Sequence, residues 1–403
     1  MGRDVEIGRI EGDEFADFRR LFNLTFGLSG NEEELARVRP WHELDRSVAA
    51  RADGQLVATS GAYTFDLALP GADPVGCAGV TVVSVRGDHR RRGVLTRMMR
   101  QLFEDADDRG EPFAALWASE APIYGRFGFG PAAPTNGIEV PSSARLRAPV
   151  DTTEVRFVDA ATAKAKFPAI HQQVRRTRPG MLGLSDAWWD RVLEDDPAHR
   201  DGAGQWRYAL LDDRGYAMYR LKSDWEDGLP TGTAQVKDLL ATDPEAHATL
   251  WQFVLDTDLA SRTKVQRWAV DEPLPLLLDN EGLVRISADW PFHVCLVDLP
   301  VALAARGYLI DDALTLRVHD PFQARNDGTW RLSVIDGKAA CERADGDADL
   351  ELPADVLGAL CLGGQRATRY AAAGRIEVHR ADAPGRLDRL FATELAPWHH
   401  VMF

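Results

Sequence analysis

The most informative segment of the chain lies between residues 82 and 96. It reads Val82-Val83-Ser84-Val85-Arg86-Gly87-Asp88-His89-Arg90-Arg91-Arg92-Gly93-Val94-Leu95-Thr96. The β-branched run over 75–85 predicts a strand, and the apolar spacing over 92–108 predicts an amphipathic helix. The apolar run over 113–118 predicts a second strand. A strand, a helix and a strand in this order form a β-α-β unit.

The turn that enters this helix has the chemistry of a phosphate site. The first N–H groups and the positive dipole end of a helix attract anions, and Gly93 has no Cβ to keep a ligand from the backbone. Six arginines and one acid occupy residues 86–100, in a chain whose formal net charge is −15. This basic island indicates a small polyanionic ligand, because arginines add charge-assisted hydrogen bonds. The alternative is a solvated basic helix start with a turn glycine.

The elements around this unit recur later in the chain. Before it, the patterns predict a strand over 5–10, helices over 13–26 and 32–38, and a hairpin of 46–52 with 55–69. From 154 to 286 the order is again two helices, three strands, a helix (243–259) and a strand (265–270). We infer an internal repeat of fold. The second copy lacks the arginine-glycine loop, and the acids Asp243 and Glu245 at its last helix start would repel phosphate. We therefore expect it to bind no cofactor.

The pattern changes after Trp290. Strands are predicted over 292–297, 314–318, 329–335 and 349–352, the middle two pairing across the Asn326-Asp327-Gly328 turn. Short helices are predicted over 301–305, 354–360 and 387–394. The chain is thus expected to be α+β (mixed α/β), with domains over 1–150, 151–290 and 291–403.

Composition narrows the classes of partner. An acidic chain of 403 residues disfavours nucleic acid and suits a cationic substrate, although acidity also serves solubility alone. No apolar run reaches the length of a membrane span, and the four cysteines are scattered. We expect a cytoplasmic protein with no membrane partner and no metal. His399 and His400 are expected to be surface residues rather than metal ligands.

The arginine-glycine loop resembles the pyrophosphate loop of the GNAT superfamily, Arg/Gln-x-x-Gly-x-Gly/Ala, with Leu95 in the last place. The runs at 89–93, 118–120, 123–130, 271–275 and 300–308, with the terminal Phe403, are similar to the Eis (enhanced intracellular survival) acetyltransferases over the whole chain. This resemblance implies two GNAT-like regions followed by a sterol-carrier-protein-like domain. It also implies a homo-hexamer that uses acetyl-CoA to acetylate amines of aminoglycosides.

The resemblance implies two catalytic residues, because amine acetylation needs a base for the ammonium proton and an acid for the thiolate. Tyr124 is the expected acid, and the C-terminal carboxylate of Phe403, ionised at neutral pH, is the expected base. The alternatives are a packing tyrosine and a merely packed or disordered chain end. The expected acetyl-CoA contacts are Val83, Ser84, Val85, Arg90, Arg91, Arg92, Gly93, Val94, Leu95, Thr96, Ser119 and Glu120. The expected substrate contacts are Phe26, Trp41, Val82, Trp117 and Met402.

Two other functions stay open at this point. One is a lysine or polyamine N-acetyltransferase with the same site. The other is a non-catalytic carrier that holds an apolar ligand in the C-terminal domain. The physiological amine, and the number of amines acetylated, are left open.

Overall fold

The computed structural model describes residues 5–28 and 31–403, which form two compact units. The first unit combines Met1–Ala132, Phe292–Thr393 and Phe403; the second combines Ala133–Pro291 and Glu394–Met402. The predicted mixed α/β class is confirmed. The domain boundaries at 150 and 290 stay predictions.

The N-terminal part of the first unit follows the predicted order closely. Its elements are β1 (Val5–Arg9), α1 (Phe15–Phe26), α2 (Glu32–Val38), β2 (Ser47–Ala52), β3 (Gln55–Leu67), β4 (Val75–Val85), α3 (Val94–Asp108), β5 (Phe113–Trp117) and α4 (Ala121–Gly125). Asp53 and Gly54 have φ of 52° and 75°, as the two central residues of a type I′ hairpin turn require. The apolar stripe of α3, including Met98, Leu102 and Ala106, packs in the core against this sheet.

The second unit repeats this order and confirms the inferred repeat of fold. The elements of this part of the chain are β6 (Gly130–Pro141), β7 (Arg156–Val158), α5 (Ala160–Arg175), α6 (Asp186–Leu193), β8 (Arg207–Leu211), β9 (Gly215–Lys222), β10 (Trp225–Glu226), β11 (Leu229–Pro230), β12 (Gly232–Ala241), α7 (Pro244–Leu255), β13 (Ala260–Ala269), α8 (Leu274–Leu277) and β14 (Arg285–Leu296). The helix predicted over 243–259 is too long. It ends at Leu255, and Leu259, with φ of 65°, stands immediately before strand β13.

In each unit an antiparallel strand pairs with the second of the two parallel strands. In the first unit the order is β1-β2-β3-β4-β5-β14, and residues 292–296 of β14 pair antiparallel with β5. In the second unit the order is β6-β13-β12-β9-β8-β7, and residues 135–141 of β6 pair antiparallel with β13. The sequence pattern did not predict β6, because prolines and glycines interrupt the pattern at Gly130, Pro131, Pro134, Gly137 and Pro141.

The C-terminal part of the first unit has its own sheet, in the order β17-β16-β15-β18-β19. Its elements are α9 (Leu299–Ala305), β15 (Asp312–His319), β16 (Gly328–Ile335), β17 (Lys338–Arg343), β18 (Leu350–Pro353), α10 (Ala354–Leu360), α11 (Ala367–Ala372), β19 (Glu377–Val378) and α12 (Ala383–Leu390). The predicted antiparallel pairing of β15 with β16 is confirmed. The helix predicted over 387–394 begins earlier, because Pro384 suits the first turn of a helix.

Across residues 5–28 and 31–403, no helix has the length and apolar character needed to cross a bilayer.

Candidate active site

The site of interest in the first unit begins where two parallel strands part. Strands β4 and β5 pair from Cys77↔Phe113 to Gly79↔Ala115, and β4 then continues to Val85. The register of β4 against β3 shifts between Thr59 and Gly61, so Val82 and Val83 form a bulge. Val82 has φ of 46°, and its carbonyl accepts a hydrogen bond of 2.7 Å from Thr59 Oγ1. A bulge of this kind turns backbone groups away from the regular ladder.

The side chains of this bulged segment face different surroundings. Val82 is 5% exposed and packs in a cluster with Ile10 and Phe18. Ser84 is buried, and its hydroxyl hydrogen-bonds the Thr59 hydroxyl at 2.8 Å. Val83 and Val85 are half-buried and lie against the same core as α3. These contacts, all between described residues, hold in place the strand that is predicted to bind the cofactor.

The start of α3 is an open cradle with basic side chains around it. Gly93 has φ of 74°, and a Cβ built there would meet no described atom within 4 Å. Arg90, Arg91 and Arg92 are exposed; Val94 is buried, and Leu95 and Thr96 are half-buried. In residues 5–28 and 31–403, no side chain caps this helix start. Its first N–H groups therefore suit the diphosphate of a nucleotide-like ligand.

The corresponding helix start in the second unit is already satisfied. The Asp243 carboxylate accepts a hydrogen bond of 2.9 Å from the Ala246 N–H of α7. Arg214 pairs with Asp243 at 2.7 Å and with Glu245 at 2.8 Å. A bound phosphate would have to displace these carboxylates, so this second helix start is unsuited to the same ligand.

Tyr124 lies on α4, just after the end of β5. It is buried, its ring packs against Phe129 at 6.2 Å, and its hydroxyl is hydrogen-bonded to the Ser119 side chain. Burial raises the pKa of Tyr124; the Ser119 hydrogen bond lowers it and the charge of Glu120 raises it, leaving it above its usual value. Ser119 and Glu120 are themselves exposed. The phenol therefore keeps its proton at neutral pH and is available as a donor.

The ring of Phe403 packs into the first unit. Its centroid lies 5.0 Å from that of Phe65 and 6.2 Å from that of Phe292. A Cβ built on Gly79 would come within 3.1 Å of the Phe403 ring. Gly79 belongs to the last residue pair that joins β4 to β5. The end of the chain is thus held beside the point where these strands separate.

The structure brings only some of the predicted substrate contacts near Phe403. Trp117 packs against Phe292 at 5.3 Å, so both rings share a neighbour with Phe403. Trp41 is farther from Phe403 in this network of rings. Its ring centroid lies 5.7 Å from that of Tyr63, and the Tyr63 centroid lies 6.3 Å from that of Phe65.

Of the other three predicted contacts, Val82 lies in its separate cluster with Ile10 and Phe18, Phe26 lies on α1, and Met402 directly precedes Phe403 in the chain. Phe26 is 43% exposed and packs against Phe22 at 4.6 Å. Met402 is 42% exposed and belongs to the second unit.

His42, which the sequence pattern did not single out, packs against Tyr63 of this aromatic group with ring centroids 6.1 Å apart. His42 is buried, and its ring nitrogens lie 2.9 Å from Ser47 Oγ and 3.4 Å from the Tyr63 hydroxyl. Burial, with the nearby charges of Arg19 and Arg39, lowers the pKa of His42 to about 3. A lone histidine in a short turn carries no signal for this environment.

The prediction that His399 and His400 lie on the surface is wrong. Both are buried, and His400 Nε2 lies 3.2 Å from Asp238 Oδ2. The imidazole of His400 also stacks on Trp398 at 4.6 Å. The carboxylate partner of His400, Asp238, comes from a distant part of the chain, which the adjacent-histidine pattern does not reveal.

Comparisons with known proteins agree with this architecture. Family models for an acetyltransferase (GNAT) domain match residues 6–132 and 180–294, and a model for a sterol carrier protein domain matches residues 299–400. An uncharacterized N-acetyltransferase of Streptomyces coelicolor is 38% identical over 383 residues, covering 92% of this chain and 93% of that protein.

Relatives that carry the Eis name include a mycobacterial protein and a solved structure. The N-acetyltransferase Eis of Mycobacterium bovis is 34% identical over 338 residues, covering 82% of this chain and 81% of its own. The crystal structure of Eis1 from Mycobacterium abscessus superposes with a TM-score of 0.88 at 28% identity, covering 99% of this chain and 100% of that one. With its two GNAT regions and its sterol-carrier-like domain, this chain is an acetyltransferase that belongs to the Eis family of N-acetyltransferases.

Proposed function

We propose that this N-acetyltransferase moves the acetyl group of acetyl-CoA to primary amines of a cationic, aminoglycoside-like small molecule. Tyr124 acts as general acid, and the C-terminal carboxylate of Phe403 acts as general base. The observation that carries the proposal is the packing of Phe403 beside Gly79, at the parting of β4 and β5. The same unit holds Tyr124 and the open start of α3.

The cofactor residues are assigned from the chemistry of this strand and helix. Acetyl-CoA supplies a thioester, whose acetyl group is open to attack by an amine. The N–H groups at the start of α3 and the exposed Arg90–Arg92 would hold the diphosphate. Backbone groups of β4 beyond Gly79 have left the ladder with β5, which supports their use in binding the amide-containing arm of CoA. Ser119 and Glu120 follow β5, close in sequence to Tyr124.

The two proposed catalytic groups have complementary protonation states. The Phe403 carboxylate is ionised at neutral pH and takes the proton of the substrate ammonium. Tyr124 keeps its proton because burial raises its pKa, so it gives that proton to the departing thiolate. A carboxylate base also favours a cationic acceptor, and the net charge of −15 would attract such a ligand from solution.

The assembly is inferred from the resemblance to Eis acetyltransferases, and the location from the four scattered cysteines. We infer a cytoplasmic homo-hexamer of chains of 44.5 kDa each. Light scattering on the purified protein would measure the mass, and a dimer or monomer would contradict this part of the proposal.

The first experiment measures thiol release from acetyl-CoA with three classes of amine. These are aminoglycosides, linear polyamines and lysine-containing peptides, all at matched concentration. The proposal expects aminoglycosides to have the highest kcat/KM. A higher kcat/KM for peptides or polyamines would make the protein a lysine or polyamine N-acetyltransferase with the same catalytic groups. No turnover with any amine would favour a carrier function.

The second experiment tests the terminal carboxylate. Amidating Phe403 removes its charge with little added bulk, and a C-terminal extension replaces the carboxylate by an amide. Both should lower kcat by about 10²-fold or more, with acetyl-CoA affinity kept. The control is the same tag at the N-terminus. Equal kcat for the two tagged proteins and the amidated one would show that the terminus only packs.

A further inference from the structure

The second unit has an opening that corresponds to the one beside β4. Its parallel strands β12 and β13 pair from Gly232↔Ala260 to Val236↔Val265. Beyond this point β12 shifts register against β9 between Val236 and Asp238, as β4 does against β3. The Asp243 carboxylate caps the start of α7. A phosphate-bearing cofactor is therefore unsuited to this unit. Side chains that follow the last β12–β13 residue pair, Val236↔Val265, contact another segment of the chain in this opening.

The C-terminal tail, residues 394–402, contacts both strands of this opening. Trp398 Nε1 donates a hydrogen bond of 2.7 Å to the Arg267 carbonyl of β13, and its ring packs on Trp268 at 5.1 Å. His400 Nε2 lies 3.2 Å from Asp238 Oδ2 of β12. Asp238, Arg267 and Trp268 all follow the last β12–β13 pair. The tail therefore lies where these strands have separated.

The tail is also held upstream of Trp398. The Ala396 N–H donates to Asp271 Oδ2 at 2.9 Å, and Arg178 donates to the Ala396 carbonyl at 2.9 Å. The Trp398 N–H donates to the Pro179 carbonyl at 2.8 Å. A Cβ on Gly180, whose φ is 88°, would come within 3.1 Å of that nitrogen, so glycine permits the close approach. Hydrogen bonds thus fix the backbone of the tail as well as its side chains.

Asp238 is the charged centre of this attachment. It is 2% exposed, and the Tyr216 hydroxyl donates to its Oδ2 at 2.6 Å. Burial raises the pKa of Asp238, but the charge and hydrogen bond of His400, with Tyr216 and His171, bring it below its usual value. A buried pair of ionisable side chains is a poor source of stability, and a role in fixing register is the better-attested use of such pairs. Here the register in question is that of the tail.

We propose that the second unit has exchanged cofactor binding for holding the C-terminal tail, and that Asp238 is a positioning residue for the terminal carboxylate. Three residues of chain span at most about 11 Å, so holding His400 confines Phe403 to a small region. The tail thereby replaces the ligand in the opening between β12 and β13. The effect on activity rests on the proposed role of Phe403 as base.

The experiment compares Asp238→Asn and His400→Gln in the full chain. Hydrogen exchange over 394–403 and release of Phe403 by carboxypeptidase report the tail; kcat and acetyl-CoA affinity report the site. The matched control is Tyr208→Phe, which removes a buried 2.9 Å hydrogen bond to the Leu193 carbonyl in the same unit, away from the tail. The double variant Asp238→Asn/His400→Gln restores a neutral hydrogen bond and serves as the rescue.

Both single variants should speed tail exchange by about tenfold or more, because they release a local structure. They should lower kcat by about tenfold or more, since small displacements of a catalytic group are costly, and leave the acetyl-CoA Kd within about twofold. Tyr208→Phe should change neither readout, and the double variant should recover part of both. Unchanged tail exchange in both single variants would overturn the proposal, as would a rescue that fails while the protein stays folded.

The amidated protein separates the two hypotheses. If amidation lowers kcat but the faster tail exchange of Asp238→Asn does not, the positioning role is wrong and Phe403 remains the base. If neither lowers kcat, the role of Phe403 as base has failed and the positioning role falls with it, while the faster exchange still supports the tail attachment.

Discussion

Replacing Gly79 by alanine should displace the chain end from the site. The added Cβ would lie 2.5 Å from Phe65 Cε2 and 3.1 Å from Phe403 Cε2. Carbon atoms in contact sit about 3.5–4.0 Å apart, so the Phe65 ring must retreat by about 1 Å and the Phe403 ring by about 0.5 Å. The two rings are in contact at 5.0 Å, so Phe403 has to move with Phe65. The backbone of Phe403 carries the proposed base, and its carboxylate moves with the ring.

The expected cost has two parts. Overpacking a well-filled site costs about 1–3 kcal/mol of folding stability, and misplacing a catalytic group by about 1 Å lowers turnover by up to about 10²-fold. We expect kcat to fall by about 10- to 10²-fold, measured by thiol release at saturating acetyl-CoA. The double variant Gly79→Ala/Phe65→Leu, which gives the Cβ space, should recover part of the loss.

Gly8→Ala is the matched control for this experiment. Gly8 lies on strand β1, and a Cβ there would meet its nearest atom, Arg51 Nη1, at an ordinary 3.8 Å. This variant should keep its kcat. If folded Gly79→Ala turns over within about twofold of the parent, the contact between the strand and the terminal ring is not coupled to catalysis, and the reasoning is refuted.

Three further predictions concern single groups. Tyr124→Phe should lower kcat by about 10²- to 10⁴-fold at unchanged acetyl-CoA affinity, and in the parent the alkaline limb of kcat should lie above pH 10, because burial raises the pKa of Tyr124. An unimpaired kcat would give the acid role to another group. Arg91→Glu and Gly93→Val should each weaken acetyl-CoA binding in calorimetry, by repulsion and by blocking the open backbone; unchanged affinity in both would remove the loop from the cofactor site. Burial lowers the pKa of the His42 imidazole to about 3. Between about pH 6.5 and pH 3 this imidazole is therefore protonated only in the unfolded chain. The free energy of unfolding should fall as the pH falls through this range. Denaturant unfolding at pH 7 and pH 5 should show a smaller difference for His42→Gln, and an equal difference would contradict the assignment.

Much of the proposed cofactor site could be predicted from local pattern. The strand over 75–85 matches β4 in both bounds, and α3 starts at Val94, two residues after the predicted start at 92 and directly after Gly93. The strand and the helix have strong apolar patterns. Gly93 has a positive φ, which glycine adopts readily whatever its neighbours are. Such signals lie within a few neighbouring residues and survive without knowledge of the rest of the chain.

The failures are of another kind. β6 was missed because its prolines and glycines hide a strand that exists through pairing with β13, more than a hundred residues away. The partner of His400 is Asp238 on β12, and the surroundings of Phe403 include Phe65, Gly79 and Phe292. No local spacing encodes such meetings between distant segments.

The amino-acid sequence alone established the repeated β-α-β pattern, the basic start of α3 and the apolar C-terminus. Tertiary structure decided that β14 pairs with β5 and β6 with β13, and that the tail contacts both β12 and β13. The physical reason is that periodicity follows from neighbouring residues, whereas strand partners and buried charges are selected by the packing of the whole chain. Asp238 shows the difference plainly, because an acid in a strand pattern became a buried partner of His400 only once the fold was complete.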